Sequence, residues 1–129
     1  MLVRIEEEIP SSVEKELRNL DEKIVMELSA KIEAINSSQK KLEELLMTKY
    51  LDKIRKVSYK DMKIVVFELR VTKKKKGNLR VLLCGIEEKS GLKVDVMRHY
   101  VIKVWKKKTQ KIPSKYVETA IERFKSTFL

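Results

Sequence analysis

Met62-Lys63-Ile64-Val65-Val66-Phe67-Glu68-Leu69-Arg70-Val71-Thr72 is followed, after Lys73-Lys74-Lys75-Lys76-Gly77, by Asn78-Leu79-Arg80-Val81-Leu82-Leu83-Cys84-Gly85-Ile86-Glu87. Both runs are rich in β-branched and apolar residues, alternate charged with apolar positions at Glu68-Leu69-Arg70 and Leu79-Arg80-Val81, and contain no proline. This is the period of a strand. The short lysine-rich link predicts an antiparallel hairpin, its lysines protecting a tip or reaching a polyanion. Alternation puts Glu68 and Arg70 on one face and Phe67, Leu69 and Val71 on the other, where a helix can cover them. Arg80 alternates in the same way, which predicts two arginines on neighbouring strands of one exposed sheet face, placed to grip a phosphate with planar forks. The simpler alternative is that Arg70 pairs with Glu68 or another acid on the open face.

Working outward, Lys89-Ser90-Gly91 reads as a second turn and Val94 to Trp105 as a third and longest strand. Pro113 suits a first helical turn, and Val117, Ala120, Ile121, Phe124 and Phe128 give an amphipathic helix behind it. On the other side, Tyr50 to Lys60 reads as a connector. Ser11-Ser12-Val13-Glu14 has capping-box spacing, and Val13, Leu17, Leu20, Ile24, Leu28, Ile32 and Ile35 recur at helical steps, which predicts one long helix. Asn36-Ser37-Ser38 breaks it, and Leu42, Leu45 and Leu46 mark a shorter second helix. The expectation is a single α+β domain over residues 1–129: a helical hairpin and connector over 1–56, an antiparallel sheet over 57–111 and a C-terminal helix over 112–129.

Charge points to the partner. The chain carries 30 Lys plus Arg against 19 Asp plus Glu, a net charge of +11. Residues 1–56 hold 11 basic and 12 acidic side chains, net −1, whereas residues 57–129 hold 19 and 7, net +12. An anion-binding surface is therefore expected on the second half. A solvated lysine-rich face of the kind found in heat-adapted proteins would bring matched acids, which that half lacks. One cysteine, Cys84, excludes an intrachain disulfide, and with one histidine, His99, a Cys/His zinc site lacks ligands, while carboxylate-only metal sites stay open. No Gly-rich phosphate loop occurs, so nucleoside-triphosphate chemistry is not expected. No window approaches the roughly 18 to 20 apolar residues of a membrane span, and Arg4-Ile5-Glu6-Glu7-Glu8 is not a signal peptide, so a cytoplasmic location without membrane partners is expected.

Glu68-Leu69-Arg70, then Leu79-Arg80-Val81-Leu82, then Trp105-Lys106-Lys107-Lys108-Thr109-Gln110-Lys111-Ile112-Pro113 running into Val117, Ala120 and Arg123, resembles the RelE/HigB toxin family, more narrowly its phage-related HigB-like branch. The match covers roughly residues 62 to 125; the helices before it agree in architecture alone. The resemblance implies a RelE/ParE-like fold and the toxin of a type II toxin-antitoxin system. Such a toxin is a metal-independent endoribonuclease that cuts messenger RNA in the ribosomal A site, needs no cofactor and is held in check by a cognate, DNA-binding antitoxin. The ribose 2′-hydroxyl attacks the neighbouring phosphate, and the protein supplies proton transfer and positive charge. Carried over by position, Arg70, Arg80, Lys107 and Lys108 are the expected catalytic residues, with Lys103, Trp105, Lys106, Lys111, His99 and Tyr100 as RNA contacts. Lys107 and Lys108 point to opposite sides if the strand persists, so one of the two reaches the scissile phosphate. His99 does not align with the His-Gly pair that many members carry before the aromatic residue, since Lys103-Val104 stands there, but it shares strand parity with Lys103 and Trp105.

Blander readings stand beside these. Trp105 packs against the C-terminal helix unless it stacks on a base. Tyr100 and Tyr116 contact RNA or edge the core, Tyr59 carries no signal, and Cys84 is a small core residue. Two other functions fit the composition: a ParE-like toxin that inhibits DNA gyrase without catalysis, and a non-catalytic basic module that binds RNA or the ribosome.

Overall fold

The two runs form β3 (Met62–Thr72) and β4 (Asn78–Glu88), paired antiparallel in one unbroken register from Met62 opposite Glu88 to Thr72 opposite Asn78. The structure, a computed structural model, describes residues 2–72, 78–88, 96–107 and 112–129, with the side chains at 72, 78, 88, 96–99, 106 and 107 left aside. The Lys73–Lys76 run, the turn at Lys89-Ser90-Gly91, and Lys108 and Lys111 lie outside the described residues. The third expected strand is β5 (Val96–Lys107), antiparallel to β4; the expected start at Val94 also falls outside.

Two strands flank this core where none was expected. The connector is β2 (Leu51–Tyr59), antiparallel to β3 through a tight turn in which Lys60 has φ 53°. Its alternation is hidden by a bulge between Lys53 and Arg55, which moves the apolar positions from one sheet face at Leu51 to the other at Ile54, Val57 and Tyr59. Lys53, Arg55 and Lys56 give it the charge of an edge strand. At the opposite edge, Leu2–Ile5 forms β1, parallel to the start of β5, with Val3 and Ile5 turned inward. The sheet order is β1-β5-β4-β3-β2. Asn36 binds the outer side of β1, which Leu2 also uses for an antiparallel bridge to Lys41: the Asn36 Oδ1 accepts from Ile5 N at 2.8 Å and its Nδ2 donates to Ile5 O at 3.0 Å.

The single long helix expected over Val13 to Ile35 is two, α1 (Ser11–Arg18) and α2 (Glu22–Ser38). Asp21 caps the second, its side chain accepting from Lys23 N at 3.0 Å. The 3–4 apolar spacing runs through Leu20 and so conceals the break. The break expected at Asn36-Ser37-Ser38 holds, since these are the last residues of α2, which is closed by Gln39 in the left-handed region (φ 54°). The short helix α3 (Leu42–Leu46) sits where it was expected, and α4 (Ser114–Phe128) follows Pro113.

Both sheet faces are covered, one more than the sequence suggested. Val13, Ile24, Leu28, Ile35 and Leu45 from α1, α2 and α3 pack on Val65, Phe67, Leu69, Val81, Leu83 and Val101. On the other face Val117, Ala120, Ile121 and Phe124 of α4 pack on Ile64, Val66, Leu82, Cys84 and Ile102. Burying each such side chain contributes roughly 1.5–3 kcal/mol, so α4 is anchored by its apolar stripe. The result is an α+β domain with an antiparallel sheet over β2 to β5 and a C-terminal helix. In place of a helical hairpin, α1, α2 and α3 are spread across one sheet face.

Candidate nucleic-acid interface

Beyond Val66, the next residues of β3 on the α4 face are Glu68 and Arg70. Arg70 is the direct cross-strand partner of Arg80, and Arg80 that of Trp105 on β5. The expected pairing of the two arginines on adjacent strands therefore holds, but the exposure of Arg80 does not. Arg80 is 7% exposed and Glu68 2%. Like charges directly opposite one another repel, and Glu68 answers both: its Oε1 lies 3.2 Å from Arg70 Nε and its Oε2 3.9 Å from Arg80 Nε. Arg70, with 29% of its side chain exposed, also pairs with Asp52 of β2 and donates through Nη1 to Lys49 O at 2.6 Å. The four charged groups Asp52, Glu68, Arg70 and Arg80 balance to zero.

Within that balance one contact is incomplete. Glu68 Oε2 and Arg80 Nε and Nη1 are buried without a hydrogen-bond partner. Burial pulls the Arg80 guanidinium below its ordinary value, with Glu68 pulling it back up and Arg70 pushing it further down. Arginine stays protonated near neutrality in any such setting. The Nε and Nη1 N–H groups of Arg80 are thus charged, buried donors without a hydrogen-bond partner.

Other expected contacts are already engaged. Lys103 Nζ lies 2.6 Å from Glu16 Oε2 and 4.4 Å from the Tyr116 ring centroid. Glu16, on α1, also accepts from Arg123 Nη1 at 2.9 Å and from Val104 N at 3.2 Å. A bulge near Ile102 explains this hub: it disturbs the β4–β5 ladder, and Glu16 and Arg123 satisfy the backbone at Val104 N and Ile102 O. Trp105 stands edge-on to Tyr116 of α4, ring centroids 5.2 Å apart, and Tyr100 packs on Phe128 at 4.1 Å. Both follow the packing reading rather than the stacking one. His99 pairs with Gly85 through the backbone, five residues along β4 from Arg80 and so roughly 17 Å away at 3.4 Å per residue. His99 and Tyr100 belong to a different part of the sheet from the arginines.

Register does gather the lysines. Thr72, Asn78 and Lys107 are aligned across β3, β4 and β5, and Lys106 lies opposite Leu79. From these strand ends the sequence runs into Lys73–Lys76 and on to Lys108 and Lys111. Lys106 and Lys107 thus lie at the Arg70–Arg80 end of the sheet by backbone position.

Sequence reasoning missed Asp52, Lys49 and Glu16, and named Arg123 within the tail motif without a role. Asp52 becomes legible once β2 is read as a strand, because it then falls opposite Glu68. Nothing local marks Glu16, whose partners are on β5 and α4. Among the described residues no group of three or more His, Cys, Asp and Glu is placed to hold a metal ion, and no helix is long and apolar enough to cross a membrane. No family model, curated protein or solved structure matches the chain.

Proposed function

We propose that this protein binds RNA through the lysine-rich end of its sheet. The observation that carries the reading is the register: it aligns the ends of β3, β4 and β5, from which two lysine runs continue, in a half of the chain with net charge +12. Several cations on one edge neutralise several phosphates and release their counterions, so binding is tight at low salt and weakens as salt rises. RNA rather than DNA is favoured by the resemblance of residues 62 to 125 to the RelE/HigB toxins.

A second, more specific reading is supported by the Glu68–Arg80 contact: a toxin of a type II system that cuts messenger RNA on the ribosome without a metal, in the cytoplasm, under a cognate antitoxin. The α+β order, with its antiparallel sheet and final helix, supports the RelE/ParE-like fold that goes with it. In this reading the side chains over Arg80 move aside so that a phosphate reaches its buried, unpartnered donors, which then stabilise the charge of the phosphorane. Lys107 and Lys108 remain its candidate cations beside the arginines.

Retention on immobilised RNA across a salt series tests the first reading. Replacing Lys73–Lys76 with Ser is expected to lower the slope of log affinity against log salt by up to about 3 if all four touch a single strand. An unchanged slope assigns those lysines to solubility. Primer extension on transcripts after brief induction tests the second: new 5′ ends at codons support cleavage, and intact transcripts refute it.

A further inference from the structure

A cleft of about 590 Å³ opens between α2 and the segment entering β2, and neither reading above uses it. It exists because α2 presents Ala30 and Ala34, one turn apart, where larger side chains would close it. Its volume lies within the range of small-molecule sites and suits a single nucleotide.

The lining has the chemistry of a base and a phosphate. Tyr50 offers a partly exposed ring, with Lys31 Nζ 3.3 Å from its centroid. Lys49 lines the same cleft from the adjoining position. Arg70 pins this segment to β3 twice: its backbone N donates to Tyr50 O at 2.8 Å and its Nη1 to Lys49 O at 2.6 Å. Because Asp52 and Glu68 answer the charge of Arg70, Lys31 and Lys49 are the cations that give the cleft its positive balance over Glu27. Val71, also in the lining, leads through Thr72 into the Lys73–Lys76 run.

We propose that this cleft is a nucleotide subsite, in which a base stacks on Tyr50 and its phosphate lies between the ammonium groups of Lys31 and Lys49. Lys31 leaves the ring face when the base enters, since a half-exposed cation–π contact is weak beside base stacking, and its flexible stem keeps it within reach of the phosphate. Arg70 acts as a positioning residue that holds the Lys49–Tyr50 segment. That the nucleotide belongs to an RNA strand rests on the RNA-binding reading; a free mononucleotide offers the same chemistry.

The test uses the full chain with two probes, an RNA octamer carrying 4-thiouridine and free uridine monophosphate. Photocrosslinks are mapped by mass spectrometry, mononucleotide binding is followed by NMR, and thermal melts check folding. The expected result is a crosslink to the segment containing Tyr50, with RNA affinity reduced roughly tenfold or more in Ala34→Trp, which fills the cleft, and in Tyr50→Leu, which removes the stacking face. Lys49→Ser, at an exposed position, keeps the test valid if either of those variants fails to fold. RNA bound with crosslinks elsewhere and unchanged affinity in the folded variants overturns the cleft while leaving the RNA reading intact. Uridine monophosphate shifting the Ala30, Ala34 and Tyr50 signals without RNA binding upholds the cleft as a free-nucleotide site and ends the RNA reading. Binding of neither probe overturns both.

Discussion

Removing Glu68 should damage the fold far more than removing Arg80, although the two form one ion pair. At 3.9 Å, and with the effective dielectric of about 20 that describes such sites, the Coulomb attraction between them is about 4 kcal/mol. Glu68→Met leaves Arg80 buried and directly opposite Arg70 with no acid between them, and breaking a buried pair in this way costs about 3–5 kcal/mol. Arg80→Met leaves Glu68 with Arg70 at 3.2 Å, so the loss should be only about 1–2 kcal/mol. The double variant Glu68→Met/Arg80→Met removes the desolvated pair together, which is commonly neutral or stabilising by about 1–4 kcal/mol. Urea unfolding of the four proteins closes the cycle, with an expected coupling of at least about 2 kcal/mol. A domain of this size should lose roughly 10 °C or more in melting temperature on Glu68→Met. If Glu68→Met is no worse than Arg80→Met, or the coupling is below about 0.5 kcal/mol, the pair is not the buried, coupled contact described here.

Cys84 is buried under α4, and burial pushes its thiol up to about 12. Native protein at pH 8 should resist alkylation, with a labelling rate that follows unfolding; fast labelling would contradict the burial. Because the folded value is raised, the stability linked to this thiol is complete below the ordinary value of 9.0 and is lost as pH rises from there through about 12, a loss that Cys84→Ala should remove in alkaline melts. Glu87 is held below its ordinary value chiefly by the hydrogen bond from Lys56 Nζ at 2.9 Å, so its contribution is present above pH 4.5 and fades as pH falls through the lowered value. The pair is half-exposed, so Lys56→Met should return the Glu87 titration to the ordinary range in NMR while changing stability little.

How much of this was legible in the sequence depended on what each residue's neighbours were. The β3–β4 hairpin and α4 were readable because their apolar periods are carried locally, in Val65, Phe67 and Leu69 or in Val117, Ala120 and Phe124. β2 was not, because a bulged edge strand breaks period two and dilutes it with Lys53, Arg55 and Lys56. β1 was not, because four residues carry too little pattern and its partner is β5, far along the chain. The arginine register was legible and the burial was not: strand parity says which face a side chain takes, while Glu68 at 2% exposure depends on what the rest of the chain lays over that face. The packing of Trp105 on the C-terminal helix was legible, but the particular partners of Lys103, Trp105 and Tyr100 were not, since Glu16, Tyr116 and Phe128 meet them from distant helices.

The separation between a neutral arginine cluster and the lysine-rich runs of the sequence has a consequence for mechanism. Asp52, Glu68, Arg70 and Arg80 cancel at close range, and in physiological salt a screening length of about 8 Å leaves little of their field for an approaching strand. On the proposed reading, attraction of RNA then falls to the lysine runs, and binding and cutting should be separable by mutation. Replacing Lys73–Lys76 with Ser should weaken binding and leave the single-turnover rate of bound RNA unchanged. Arg80 is best tested in the Glu68→Met/Arg80→Met protein, whose fold the paired removal protects. There, RNA retention should persist while cleavage slows by roughly 100-fold or more, the scale expected when a preorganised cation at the transition state is lost. Cleavage by that folded double variant at the wild-type rate would remove Arg80 from the chemistry and leave the protein as an RNA binder without an active site on this sheet.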